Sequence, residues 1–126
     1  MKLNQIENVL SDKGSKYSVS GATVRNRADV AAVLKKLRSK KKYAKATHNT
    51  WAVVFADGEP VKDDDGESGA GVIMLAMLDR AGVTNQVVIV TRWYGGVHLG
   101  ADRFRHVRTC VTSYLQQFGG STSTDF

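Results

Sequence analysis

With one cysteine and one proline in 126 residues, the chain has few means of covalent or conformational stapling. Cys110 alone cannot form an internal disulfide, which fits a reducing, cytoplasmic compartment. A single proline argues against long proline-rich linkers. Met1 to Leu10 is polar and lacks the apolar centre of a secretory signal, and no apolar run approaches the ~20 residues that cross a bilayer. Several motifs are missing too. No Gly-Lys-Ser/Thr follows the glycines of a phosphate loop, no Gly-x-Ser-x-Gly elbow presents a nucleophile, and no helix-loop-helix calcium pattern occurs.

The composition that remains, 42% apolar and 24% charged, belongs to an ordinary globular protein, and the length suits one domain with one core. The formal net charge is +6, but its distribution matters more. Seven basic residues and no acid lie between Lys35 and Lys45, whereas Asp57 to Glu67 holds six of the twelve acidic residues against Lys62 alone.

Two extended pieces are expected over 6–24, around the turn signal Ser11-Asp12-Lys13-Gly14, with Gly21 suited to a bulge. Asn26 stands as an N-cap, and Val30, Val33, Leu34 and Leu37 recur at helical spacing, which predicts an amphipathic helix over about 27–41. "TWAVVFA" reads as a strand over 50–56. The eleven residues after it carry too much charge to be buried and read as a surface loop. Ser68 is the expected cap of a second helix, apolar nearly all round and ended by Gly82. "QVVIVTR", continuous rather than alternating, predicts a strand over 86–92 that is covered on both faces. A last helix carries Phe104, Val107, Val111, Leu115 and Phe118 on one face and stops at Gly119-Gly120. The order β-β-α-β-α-β-α predicts a layered α/β sandwich with some neighbouring strands parallel. One domain over 1–118 and a loose tail over 119–126 are expected.

Three stretches carry candidate chemistry. "TRWYGGVHLGADRFRH" delivers Arg92, Trp93 and Tyr94 to the end of a strand, where α/β proteins commonly bind ligands, and Gly95-Gly96 permits backbone that other residues refuse. Arg103 then starts a helix near the same edge. "DDDGESGAG" sets Asp63, Asp64, Asp65 and Glu67 before a glycine-rich helix start; free N–H groups there suit an anion, and the carboxylates oppose one. "ATHNTW" places His48 and Asn49 before a strand, where the imidazole can serve acid-base chemistry or simply hydrogen-bond backbone. His106 and Cys110 share a helix face, but no second pair of ligands joins them, so neither a metal nor a cofactor is expected.

With Ala46-Thr47-His48-Asn49, Asp64-Asp65-Gly66-Glu67, Arg92-Trp93-Tyr94-Gly95-Gly96, Leu99-Gly100 and Asp102-Arg103-Phe104 in this order, the chain resembles the Impact family from about Asn8 to Leu115. The earlier "DGEP" at Asp57 to Pro60 is a decoy, since only the second Gly-Glu precedes the capped helix. The likeness implies a two-layer fold similar to the second domain of ribosomal protein S5, a mixed four-stranded sheet with three helices on one face. It also implies a regulator of translation rather than an enzyme. Eukaryotic members bind the ribosome-associated activator of the amino-acid-starvation kinase, and actin binding is associated with them. A flanking RWD or ferredoxin-like domain, found in longer members, is not expected within this sequence. The family's basic residue early in the second helix is replaced by Ile73.

The expected site is one polar cleft formed by His48, Asn49, Asp64, Asp65, Glu67, Arg92 and Arg103, with Gly95 and Gly96 shaping its backbone and Trp93 and Tyr94 at its rim. An alternative is RNA or ribosome binding through Lys40, Lys41, Lys42, Arg105 and Arg108, although no RNA-binding signature accompanies them. A further alternative is an enzyme using the carboxylate loop with a divalent metal on a phosphorylated substrate.

Overall fold

The structure, a computed structural model, describes residues 1–119. Strands β1 (Asn4–Asp12) and β2 (Ser15–Thr23) form a hairpin, followed by helices α1 (Arg27–Arg38) and α2 (Lys41–Ala44). Then come β3 (His48–Val54), β4 (Pro60–Asp63), α3 (Ala70–Arg80), β5 (Gln86–Trp93) and α4 (Asp102–Tyr114), which runs into a π-helical turn, Leu115–Gly119. The five strands form one sheet in the order β1-β2-β5-β3-β4. The expected tail beyond Gly119 lies outside the described residues.

Hydrophobic patterning explains the layering. In β5 every residue from Gln86 to Arg92 is buried, as its unbroken apolar run predicts. Successive side chains point to opposite faces, so Val88 and Val90 join Met74 and Leu78 of α3 and Val107, Val111 and Tyr114 of α4 in one cluster. Val87 and Ile89 join Val30, Val33 and Leu37 of α1 and Tyr43 of α2 in another. The sheet is therefore sandwiched. Asn26 caps α1 as expected, its Oδ1 accepting from Asp29 N at 2.9 Å, which satisfies a donor of the first turn, while Asp29 Oδ2 accepts from Arg25 N at 2.9 Å just before the cap.

The α/β class stands, and several particulars differ from the sequence reading. Five strands are present rather than four, and every pairing is antiparallel rather than mixed. β2 and β3 do run parallel, as a helical crossover requires, but β5 inserts between them and pairs antiparallel with both. The extra strand, β4, lies inside the expected loop and pairs with β3 at the sheet edge, its proline at the first position, where a missing N–H is tolerated. The implied single helical layer is supplemented by α1 and α2 on the second face. Gly21 keeps regular register, and the irregularity sits in β1 between Ile6 and Leu10. Gly21 is small for another reason: a Cβ there would lie 2.4 Å from the Tyr114 ring.

Candidate functional site

The turn before α3 is built from its own carboxylates. Asp63 Oδ1 accepts from Asp65 N at 2.8 Å, and Asp65 Oδ2 accepts from Asn49 N at 2.7 Å. Asp64 reaches forward to accept from Gly69 N at 3.1 Å and Gly71 N at 2.8 Å. It thereby does the capping expected of Ser68, since the N-cap position is Gly69 at φ 88° with no side-chain cap of its own. Burial alone would raise the Asp64 pKa, but these two N–H groups and Lys62 outweigh it and hold the carboxyl below its ordinary 3.8. The three aspartates therefore shape backbone, although Asp63 and Asp65 remain exposed and Asp65 Oδ2 also stands 3.9 Å from Arg38.

Glu67 differs. It is 2% exposed, and Arg92 Nη1 donates to its two oxygens at 3.2 and 3.3 Å. Arg103 Nη1, from the first turn of α4, donates to Oε1 at 3.2 Å. His48 Nε2 stands 3.9 Å from Oε2, while His48 Nδ1 lies 2.8 Å from the Asp65 carbonyl. A carbonyl only accepts, so Nδ1 carries a hydrogen there. β5 brings Arg92 and β3 brings His48 as direct cross-strand partners, and the start of α4 brings Arg103. Of the residues expected to converge, Asn49, Asp64 and Asp65 do not line the shared space, whereas His48, Glu67, Arg92 and Arg103 come together.

These residues line a cleft of about 460 Å³ together with Thr47, Tyr94 and His98. Its floor is polar. The Arg92 guanidinium lies 5.8 Å from the Tyr17 ring centroid and 5.7 Å from that of Tyr94, a cation held between aromatic rings. Arg92 Nε and the Tyr17 hydroxyl are buried without a hydrogen-bond partner. Burial pushes the Tyr17 hydroxyl up to about 12, with Arg92 opposing the shift. Ser15, fully buried, accepts from Arg92 Nη2 at 3.4 Å and from Gly95 N at 3.1 Å. Gly95 crosses the β1–β2 turn so closely that a Cβ would lie 2.0 Å from the Gly14 carbonyl carbon. Gly96 has no such neighbour but adopts φ 95°.

Other expected residues fall elsewhere. Trp93 follows Arg92 in the strand and so points to the opposite face. Its Nε1 donates to the Lys42 carbonyl at 2.9 Å and its ring packs edge-on against Tyr43 at 5.2 Å, so it is not at the cleft rim. Tyr94 is, 42% exposed. Asn49 is a buried brace, accepting from Thr91 Oγ1 at 2.8 Å and donating to the Tyr43 carbonyl at 3.2 Å. The residues of the RNA alternative do not form one surface. Lys40, Lys41 and Lys42 lie at α2, over one face of the sheet, and Arg105 and Arg108 lie on α4, over the other. Lys40 donates to Gln5 Oε1 at 2.7 Å, and Arg105 pairs with Asp102 at 3.5 Å. Ser15, Thr47 and His98 are not among the expected site residues, although Thr47 lies within Ala46-Thr47-His48-Asn49 and His98 within the stretch that follows Gly95-Gly96. Among the described residues no three His, Cys, Asp or Glu side chains come together to hold a metal, and no helix is long and apolar enough to cross a membrane.

The Impact N-terminal domain matches residues 13–115. The Protein IMPACT homolog of Caenorhabditis elegans is 41% identical over 114 residues, covering 85% of this chain and 44% of that protein. Human Protein IMPACT is 37% identical over 111 residues, covering 84% of this chain and 35% of that protein. The chain thus spans less than half the length of these relatives. Among solved structures, a hypothetical protein matches with a TM-score of 0.78 at 25% identity, covering 91% of this chain and 57% of the other. Yih1, described as a two-domain translational regulator, matches with a TM-score of 0.54 at 33% identity, over 90% of this chain and 45% of Yih1. With the family's domain matched over most of its length, the chain belongs to the Impact family, which includes a regulator of translation.

Proposed function

We propose that the chain is a non-enzymatic regulator of translation that acts by protein contact, with the cleft around Glu67 as its recognition site. Its partner, on the family likeness, is the ribosome-associated activator of the amino-acid-starvation kinase. One observation carries this reading: two arginines surround one carboxylate, so Arg92 and Arg103 leave one positive charge beyond what Glu67 neutralises. That surplus sits beside exposed Tyr94, and tyrosine and arginine are enriched in protein-binding hot spots. Both Glu67 oxygens are engaged by guanidinium donors, which suits a structural carboxylate rather than a general base.

The test is recovery of the activator from a nuclease-treated extract by the wild-type chain and by a Tyr94→Ala, Arg103→Ala variant of unchanged fold. Recovery by wild type and loss by the variant is expected. Equal recovery by both, or retention of ribosomal RNA alone in untreated extract, would overturn the reading.

A further inference from the structure

We infer that the cleft continues round the end of β5 into a second groove, and that the two form one basic channel for an extended acidic segment of the protein partner; this rests on the protein-contact reading above. The second groove, of about 440 Å³, is lined by Lys16, Lys42, Trp93 and Tyr94, among others. Tyr94 lines the cleft as well, so its exposed side chain is the ridge over which the two spaces meet. The strand register explains their arrangement. Lys16 opposes Trp93 and Tyr17 opposes Arg92 across β2 and β5, so alternation sends one cationic pair member to each face at the same sheet end.

The lining of the two spaces holds four cationic residues, Lys16, Lys42, Arg92 and Arg103, and a single carboxylate, Glu67. Glu67 is buried and shared by Arg92 and Arg103, which leaves one uncompensated charge of that pair on one side of Tyr94 and Lys16 with Lys42 on the other. Lys42 is also 3.6 Å from Glu7, an exposed pair that screening weakens. Acidic side chains flanking an apolar residue match this order, with the apolar residue resting on Tyr94.

Ring accessibility selects a peptide over RNA. Base stacking needs a bare aromatic face. The Trp93 ring instead has Tyr43 at 5.2 Å and Lys42 Nζ at 5.4 Å, and Tyr94 has His98 at 5.5 Å and the Arg92 guanidinium at 5.7 Å. A peptide needs only the cations for its carboxylates and the exposed part of Tyr94 for its apolar residue.

The experiment is fluorescence anisotropy with three labelled probes of equal length: an alternating Glu-Leu peptide, an all-Glu peptide and an oligouridylate. Wild type is compared with Lys16→Glu, in the groove, and Arg108→Glu, an exposed change of equal charge on α4. The alternating peptide is expected to bind best, to weaken about tenfold in Lys16→Glu through lost charge complementarity, and to be unaffected by Arg108→Glu. Equal weakening by both variants, absence of peptide binding, or tighter binding of oligouridylate would overturn the channel. Recovery of the activator by Lys16→Glu separates the two claims. Undiminished recovery sinks the channel and leaves the cleft reading intact, whereas failure of wild type to recover it sinks the cleft reading while the peptide result still decides the channel.

Discussion

Arg92 and Glu67 meet inside the protein, with Nη1 3.2 Å from Oε1 and side chains 7% and 3% exposed. A pair so far from water gives little net stabilisation while intact, because desolvation offsets attraction, but removing one member strands the other. Glu67→Gln leaves Arg92 and Arg103 without their shared anion and should cost about 3 kcal/mol in urea unfolding. Arg103→Ala removes a donor that is 28% exposed and leaves Glu67 paired with Arg92, so it should cost about 1 kcal/mol. Equal losses would mean that Arg92 alone does not hold the carboxylate.

Asp64 supplies the α3 cap, and its acidity gives a signature. Its folded pKa lies below the ordinary 3.8, so its contribution is fully present above the unfolded value and is lost as pH falls through the folded one. The stability gap between wild type and Asp64→Asn should stay constant from neutral pH to about pH 5 and narrow below about pH 4. A gap that persists unchanged through the acid range would show that the carboxylate's charge contributes nothing to the cap.

The two adjacent glycines of the motif should fail differently. Gly95→Ala would press a Cβ against Gly14 backbone at 2.0 Å, a contact no side-chain rotation can relieve, so the β1–β2 turn must move at a cost of about 3 kcal/mol or more. Gly96→Ala meets nothing within 4 Å and carries only the cost of a positive φ, about 1 kcal/mol. Thermal unfolding of the two variants distinguishes them, and similar losses would refute the steric explanation.

Cys110 is fully buried, and burial pushes its thiol up to about 12. A thiol-reactive disulfide reagent should label the native protein at the rate of global unfolding and the denatured protein at once. Rapid stoichiometric labelling of native protein would show that α4 opens locally.

Much of this was legible from residue patterning. The run from Gln86 to Arg92 announced a doubly covered strand, and Asn26 with Asp29 announced the start of α1. β4 was hidden because its four residues sit among charges in a stretch that otherwise reads as loop, and a short edge strand needs no apolar face of its own. The Asp64 cap was hidden because it acts across a turn that positive φ at Asp65 and Gly66 creates. Trp93 was assigned to the cleft by its place in a motif, although strand alternation already required Arg92 and Trp93 to face opposite ways. Ser15 reaches the site only through tertiary packing, which local sequence does not encode, whereas Thr47 and His98 lie within the motifs but are set apart from their neighbours only by the fold.

The most direct test is calorimetric titration of the purified kinase activator into wild type and into the Tyr94→Ala, Arg103→Ala variant, with the Tm of both recorded. Loss of at least about tenfold in affinity, or about 1.4 kcal/mol, with Tm lowered by no more than a few degrees is the predicted result. Equal affinity of the two proteins would contradict the assignment of the cleft as the recognition site.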